Sequence, residues 1–146
     1  MPSTADAAEV PRAAELVCVD PARVAEIWPH VTQLICRAME RGGMGDFGEV
    51  ARKVMRGEAL LWLAWDGARV IAVAVTELTA AGAAKTCTIL ACGGDGFGRF
   101  GHLLARLEDF ARAEGCRRMR ICGRPGWRRR LAGYRLKKII IEKELT

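Results

Sequence analysis

The sequence predicts an α/β (α+β) fold: a mixed, mainly antiparallel sheet with one parallel β-α-β crossover and helices on both faces. Three observations carry this. Apolar residues recur at helical spacing within 21–43, 43–59 and 102–115. Apolar runs at 15–20, 59–65, 68–78, 86–92 and 117–122 have the length of strands, several with alternation or β-branched residues. Between 86 and 122 a strand, a glycine-rich turn, a helix and a strand follow one another directly, and such a unit joins parallel neighbours by a right-handed crossover.

The elements follow in order. Residues 1–14 are Ala-rich and mixed in charge, and read as a disordered tail; 15–146 reads as a single domain. ELVCVD (15–20) is the first strand. In 21–43, Val24, Ile27, Trp28, Val31, Leu34, Ile35 and Ala38 hold one helical face. Pro29 predicts a kink or two abutting helices, because proline removes a donor and crowds the preceding turn. In 43–59, Asp46 with Glu49 resembles a capping box, Phe47, Val50, Ala51 and Val54 form the buried face, and Gly57 marks the stop. ALLWLAW (59–65) ends in Asp66-Gly67, a hairpin signal, and 68–78 is the return strand. TAAGAA (79–84) connects to TCTILAC (86–92). GGDGFGRFG (93–101) has five glycines in nine residues. The helix after it places Leu103, Leu107, Phe110 and Ala111 on one face, with Leu104 beside them. RRMRIC (117–122) alternates as a strand. Residues 123–134 read as a turn and a short helix sharing Trp127, Leu131 and Tyr134 on one face, and KKIIIEKEL (137–145) as a terminal strand.

Composition narrows the class. The 51% apolar content excludes a disordered chain, and no apolar run approaches about 18 residues, so no transmembrane span is expected. The six cysteines form no CxxC pair. Cys18, Cys87, Cys92 and Cys122 fall in apolar runs, where cysteine serves as a small buried hydrophobe. That favours a reducing, cytoplasmic setting over a disulfide framework. Two distant histidines (30 and 102) argue against a metal site. Net charge is +6, and ten basic residues with no acid lie between Arg117 and Lys138. Two readings stand: a solvated basic face, or a contact for a phosphate-bearing or acidic partner. No nucleic-acid-binding motif accompanies it, so nucleic acid ranks last.

The element order resembles the GNAT family of N-acetyltransferases, over about 15–145. The carriers are TCTILAC, the glycine-rich turn, HLLARLEDFARAEGCRRMRI, and the closing Gly133-Tyr134 and Lys143-Glu144-Leu145. The chain also looks like small GNAT-like proteins of phages and prophages, which implies a second role: a non-catalytic interaction protein, virion-associated, with a phage protein partner. The family resemblance implies acetyl-CoA in the cleft where strands 86–92 and 117–122 part, and an amine acceptor, small-molecule or protein. Its pyrophosphate would lie on Gly93, Gly94, Gly96 and Gly98, with Arg99 and Arg124 adding charge-assisted bonds. A base must take the ammonium proton and an acid must protonate the thiolate. Glu77 is the candidate base, against the reading of a surface glutamate at a strand end. Tyr134 is the candidate acid, against a packing role, which is favoured. The departures are specific. Gly93 stands where the family motif has Gln or Arg, and Arg129 where it often has a tyrosine. Strand 86–92 carries no carboxylate. The cofactor loop is therefore degenerate relative to the family. Trp127 reads as packed under a short helix, or as a stacking surface for a base or adenine ring.

Overall fold

Each helix of this chain is placed by one apolar stripe, and the sheet between them is buried on both faces. The computed structural model describes residues 15–42, 45–94, 101–122, 131–138 and 141–145. Its elements are β1 (Glu15–Cys18), α1 (Val24–Gly42), α2 (Phe47–Met55), β2 (Leu60–Trp65), β3 (Val70–Ala81), β4 (Ala84–Gly94), α3 (Gly101–Ala113) and β5 (Arg118–Ile121). The five strands lie in sequence order. β1 to β4 form an antiparallel meander, and β5 joins β4 in parallel through α3.

α1 starts after a 3-10 turn at Pro21–Arg23, capped by Asp20, whose Oδ1 accepts from the Ala22 N–H at 2.9 Å. Its buried positions are Val24, Trp28, Val31, Ile35 and Met39, the helix period. Pro29 does not divide it. The proline is exposed, so the carbonyl it leaves without an amide partner can be hydrated. α2 opens on Asp46, which accepts from Gly48 N–H at 3.4 Å, while Glu49 reaches forward to Lys53 at 3.8 Å. It closes with Glu58 N–H on the Lys53 carbonyl and Gly57 N–H on the Val54 carbonyl. Gly57, at φ +74°, supplies the left-handed residue that this ending requires.

Alternation along β3 separates two cores. Val73 and Val75 face α1 and α2, packing with Val31, Ile35, Val50, Val54, Leu61 and Ala91. Ala74 faces α3 and packs with Trp62, Ile89 and Leu107. The α3 face contains Leu103, Leu107 and Ala111 as expected. Trp62 meets Phe110 edge-on, centroids 4.8 Å apart, and its Nε1 donates to the buried Thr76 hydroxyl at 2.9 Å. Trp62→Phe leaves that hydroxyl unpaired and is expected to cost about 1–3 kcal/mol. Urea denaturation should show it, and adding Thr76→Val should recover part of the loss.

Four expectations need correction. The connection 79–84 contracts to Gly82-Ala83, because both strands extend through the small residues. Cys18, on the edge strand β1, is exposed instead of buried. The terminal strand does not form at 137–138 or 141–145. Alternation supplies strand propensity but not a ladder partner, and Ile141 and Leu145 stand 93% and 89% exposed. Of the short helix at 123–134, residues 123–130 lie outside the described residues, and Leu131–Tyr134 form a turn closed by Tyr134 N–H on the Leu131 carbonyl. The proposed tail, 1–14, also lies outside them.

Candidate functional site

β3 flanks β4 as far as Gly94, but β5 pairs with β4 only from Thr86 to Ile89. The last tie is the Cys122 N–H to the Ile89 carbonyl at 3.1 Å. One residue later comes a bulge. Thr76 pairs with Ile89 and Val75 with Ala91, so Leu90 is the extra residue. A bulge bends its own strand and interrupts regular pairing. Beyond it, Leu90–Gly94 presents an edge that no described strand covers. β4 and β5 thus part at the bulge.

Gly93 and Gly94, at the start of the turn, are explained by close packing within the chain. A Cβ on Gly93 would lie 2.9 Å from the Ala38 Cβ and 3.1 Å from the Leu34 carbonyl oxygen, so glycine lets β4 approach α1. Gly94 has φ +149°, and a Cβ there would come 2.3 Å from the Ile71 carbonyl oxygen. The link 95–100 then leads into α3, whose first turn carries no acidic residue. The positive end of that helix dipole is not neutralised from within. Gly96, Gly98 and Arg99 belong to the link and Arg124 follows β5; all four, with Trp127, lie outside the described residues.

Glu77 does not stand alone at a strand end. It alternates with Val73 and Val75 on the α1/α2 face, pairs with Thr88, and sits one register step before the bulge. The last turn of α2 brings Lys53 against it. Lys53 Nζ donates to both carboxylate oxygens, at 3.1 and 3.0 Å, with the two side chains 27% and 20% exposed. The hydrogen bond it donates to Glu77 holds the Lys53 ammonium above the ordinary lysine range, against the effect of burial, with attraction from Glu77, Glu49 and Glu58 adding to it. Cys122, where the strands part, is pushed up by burial, and is further influenced by Arg120, which lowers it, and Glu77, which raises it. Glu77 pairs with Thr88 and Thr88 with Arg120, so the three share one row across the sheet.

Tyr134 is elsewhere. Its hydroxyl donates to Glu108 Oε2 at 2.6 Å, and Glu108 is on α3. Burial, then the Glu108 hydrogen bond, push its pKa well above the usual phenol value. α2 and α3 pack on opposite faces of the sheet, so Glu77 and Tyr134 are not brought together. A raised pKa also makes the phenol a weaker acid toward a thiolate.

All six cysteines are free. Burial pushes Cys87 and Cys92 to about 11, so both are neutral thiols near pH 7 and poor nucleophiles. A cavity of about 30 Å³ lies between α3 and the sheet, walled by Ile89, Leu103, Leu107 and other apolar groups. Arg117, Arg118, Arg120, Arg135, Lys137 and Lys138 are exposed. No metal-holding group of His, Cys, Asp or Glu occurs among the described residues, and no described helix is long and apolar enough to cross a membrane.

The position of Lys53 beside Glu77 was not legible in the sequence. The helix spacing from Glu49 to Lys53 was visible, but Glu77 lies 24 residues away and meets Lys53 only through the docking of α2 on the sheet.

No family model matches this sequence, and no curated protein matches it. Solved structures do. A predicted acetyltransferase from Clostridium acetobutylicum, described with acetyl-CoA, superposes with a TM-score of 0.60 at 13% identity, over 90% of this chain and 96% of its own. A GNAT family acetyltransferase from Staphylococcus aureus gives 0.60 at 14% identity, over 91% and 99%. An aminoglycoside acetyltransferase from an uncultured soil sample, in complex with sisomicin, gives 0.63 at 8% identity, over 92% and 97%. The fold is GNAT-like.

Proposed function

We propose that this chain binds an acyl-coenzyme A, with acetyl-CoA as donor, and transfers the acyl group to an amine. The observation that carries the reading is the parting of β4 from β5 at the Leu90 bulge, directly ahead of the link into α3. The residues present fit such a ligand. The open edge of Leu90–Gly94 offers backbone amides and carbonyls to an extended chain with its own amides, as strand addition does. Pantetheine is such a chain. The α3 N-terminus suits a pyrophosphate, and Gly96, Gly98, Arg99 and Arg124 are the proposed contacts around it. The acetyl-CoA and sisomicin named for two fold neighbours agree with a CoA donor and a small-molecule amine acceptor.

Glu77 is assigned the base. It already holds an ammonium, and a carboxylate in that position can accept the proton that an attacking amine must lose. Tyr134 is assigned a packing role that ties the turn at 131–134 to α3, which leaves solvent to protonate the departing thiolate. Calorimetric titration with acetyl-CoA tests the reading. Micromolar affinity is expected, about tenfold weaker for Gly98→Val, with stability raised by about 2.7 kcal/mol at ligand a hundredfold above Kd. No heat and no shift in melting temperature at millimolar ligand would overturn it.

A further inference from the structure

We propose that Lys53 is itself an acyl acceptor, so that the chain acylates its own Lys53 Nζ; this rests on the donor reading above. An acyltransfer site needs an amine held against a proton acceptor beside the thioester carbonyl. The fold supplies that amine internally. Lys53 Nζ lies 3.0–3.1 Å from both Glu77 oxygens, one register step from the bulge where β5 departs. The end of α2 fixes its place: Glu58 and Ala59 N–H both bond to the Lys53 carbonyl, so the side chain projects from an anchored turn. The Cys122 thiol, at the parting itself, is within electrostatic reach of Glu77.

The other lysines lack this setting. Lys85 belongs to the opposite end of β4; it donates to the Glu114 backbone carbonyl at 2.7 Å, and its nearest carboxylate oxygen, on Glu114, is 3.9 Å away, against 3.0 Å for Lys53 and Glu77. Lys137, Lys138 and Lys143 are exposed outside the helices and strands. In the proposed step, Glu77 takes one proton from the Lys53 ammonium and Nζ attacks the thioester carbonyl carbon. The new N–C bond forms and the C–S bond breaks. The second proton leaves nitrogen and neutralises the thiolate as CoA thiol, and Glu77 returns its proton to solvent. No oxidant or further reactant is needed.

The test is mass spectrometry of the intact chain and its peptides after incubation with acetyl-CoA, beside calorimetry on the same samples. The expected result is one acetyl group on Lys53, added at least tenfold faster than on Lys137 or Lys138. Lys53→Arg, which keeps the ion pair, should abolish the fast labelling and leave only the slow labelling of the exposed lysines, and Lys85→Arg should leave the fast labelling unchanged. Glu77→Gln should slow Lys53 labelling at least tenfold without altering labelling of the exposed lysines. Bound acetyl-CoA with Lys53 unmodified, or labelled no faster than the exposed lysines, overturns this inference alone. Absence of binding overturns the donor reading and this inference with it.

Discussion

Gly94→Ala is expected to destabilise the protein by about 3–5 kcal/mol. Two costs combine. The backbone there has φ +149°, which a side chain rarely adopts. The added Cβ would also lie 2.3 Å from the Ile71 carbonyl oxygen and 2.7 and 2.8 Å from the Ala72 Cα and Cβ. None of these atoms is the end of a flexible side chain. They belong to β3, paired on both sides and buried at Ile71 and Ala72, so relief requires moving a central strand. Gly57→Ala is the comparison. It shares a positive φ of +74° but meets nothing within 4 Å, so it should cost only about 1 kcal/mol. Urea denaturation of both variants gives the difference. A Gly94→Ala loss no larger than that of Gly57→Ala would mean that the end of β4 does not lie against β3 as described. The effect matters to the site, because Gly94 fixes where β4 hands over to the 95–100 link.

Glu77→Gln is expected to lower the rate of acyl transfer about 10²–10⁴-fold while leaving acetyl-CoA affinity within about twofold. Glutamine retains the size and one acceptor oxygen, but it cannot take the ammonium proton. The donor is proposed to lie on the Leu90–Gly94 edge, whereas the Glu77 carboxylate faces α2, so the two functions should separate. A fall in kcat with an unchanged donor KM, and partial recovery in Glu77→Asp, would fit a base. An unchanged kcat would reduce the Lys53–Glu77 pair to a strut between α2 and β3. As a strut its loss is modest, about 0–1 kcal/mol for a part-exposed ion pair.

Local chemistry made much of the fold legible. Val24 to Met39 in α1 and Leu103 to Ala111 in α3 repeat at the period that a buried stripe demands. The Asp46 cap, the Gly57 stop and the Asp66-Gly67 turn each follow from a few consecutive residues. The misses share one cause, which is that they depend on partners distant in sequence. KKIIIEKEL has strand patterning, yet its described residues find no ladder neighbour. Pro29 breaks a helix where the freed carbonyl has no alternative partner, and here Pro29 and Ala25, one turn before it, are both exposed. The site divides in the same way. The glycine-rich turn announced a strand-to-helix handover, but Gly93 and Gly94 prove to be required by contacts with α1 and β3. Glu77 was visible as an isolated carboxylate. Its pairing with Lys53 and its register beside the Leu90 bulge exist only once α2 is docked and β4 has slipped by one residue.

Hydrogen–deuterium exchange with and without saturating acetyl-CoA addresses the central claim most directly, because it reports where the ligand sits as well as whether it binds. Binding along the parted strands predicts protection concentrated in Leu90–Gly94 and the first turn of α3, with β1 and the exposed face of α1 unchanged. Protection confined to other elements, or no protection at a concentration that saturates binding, would contradict it.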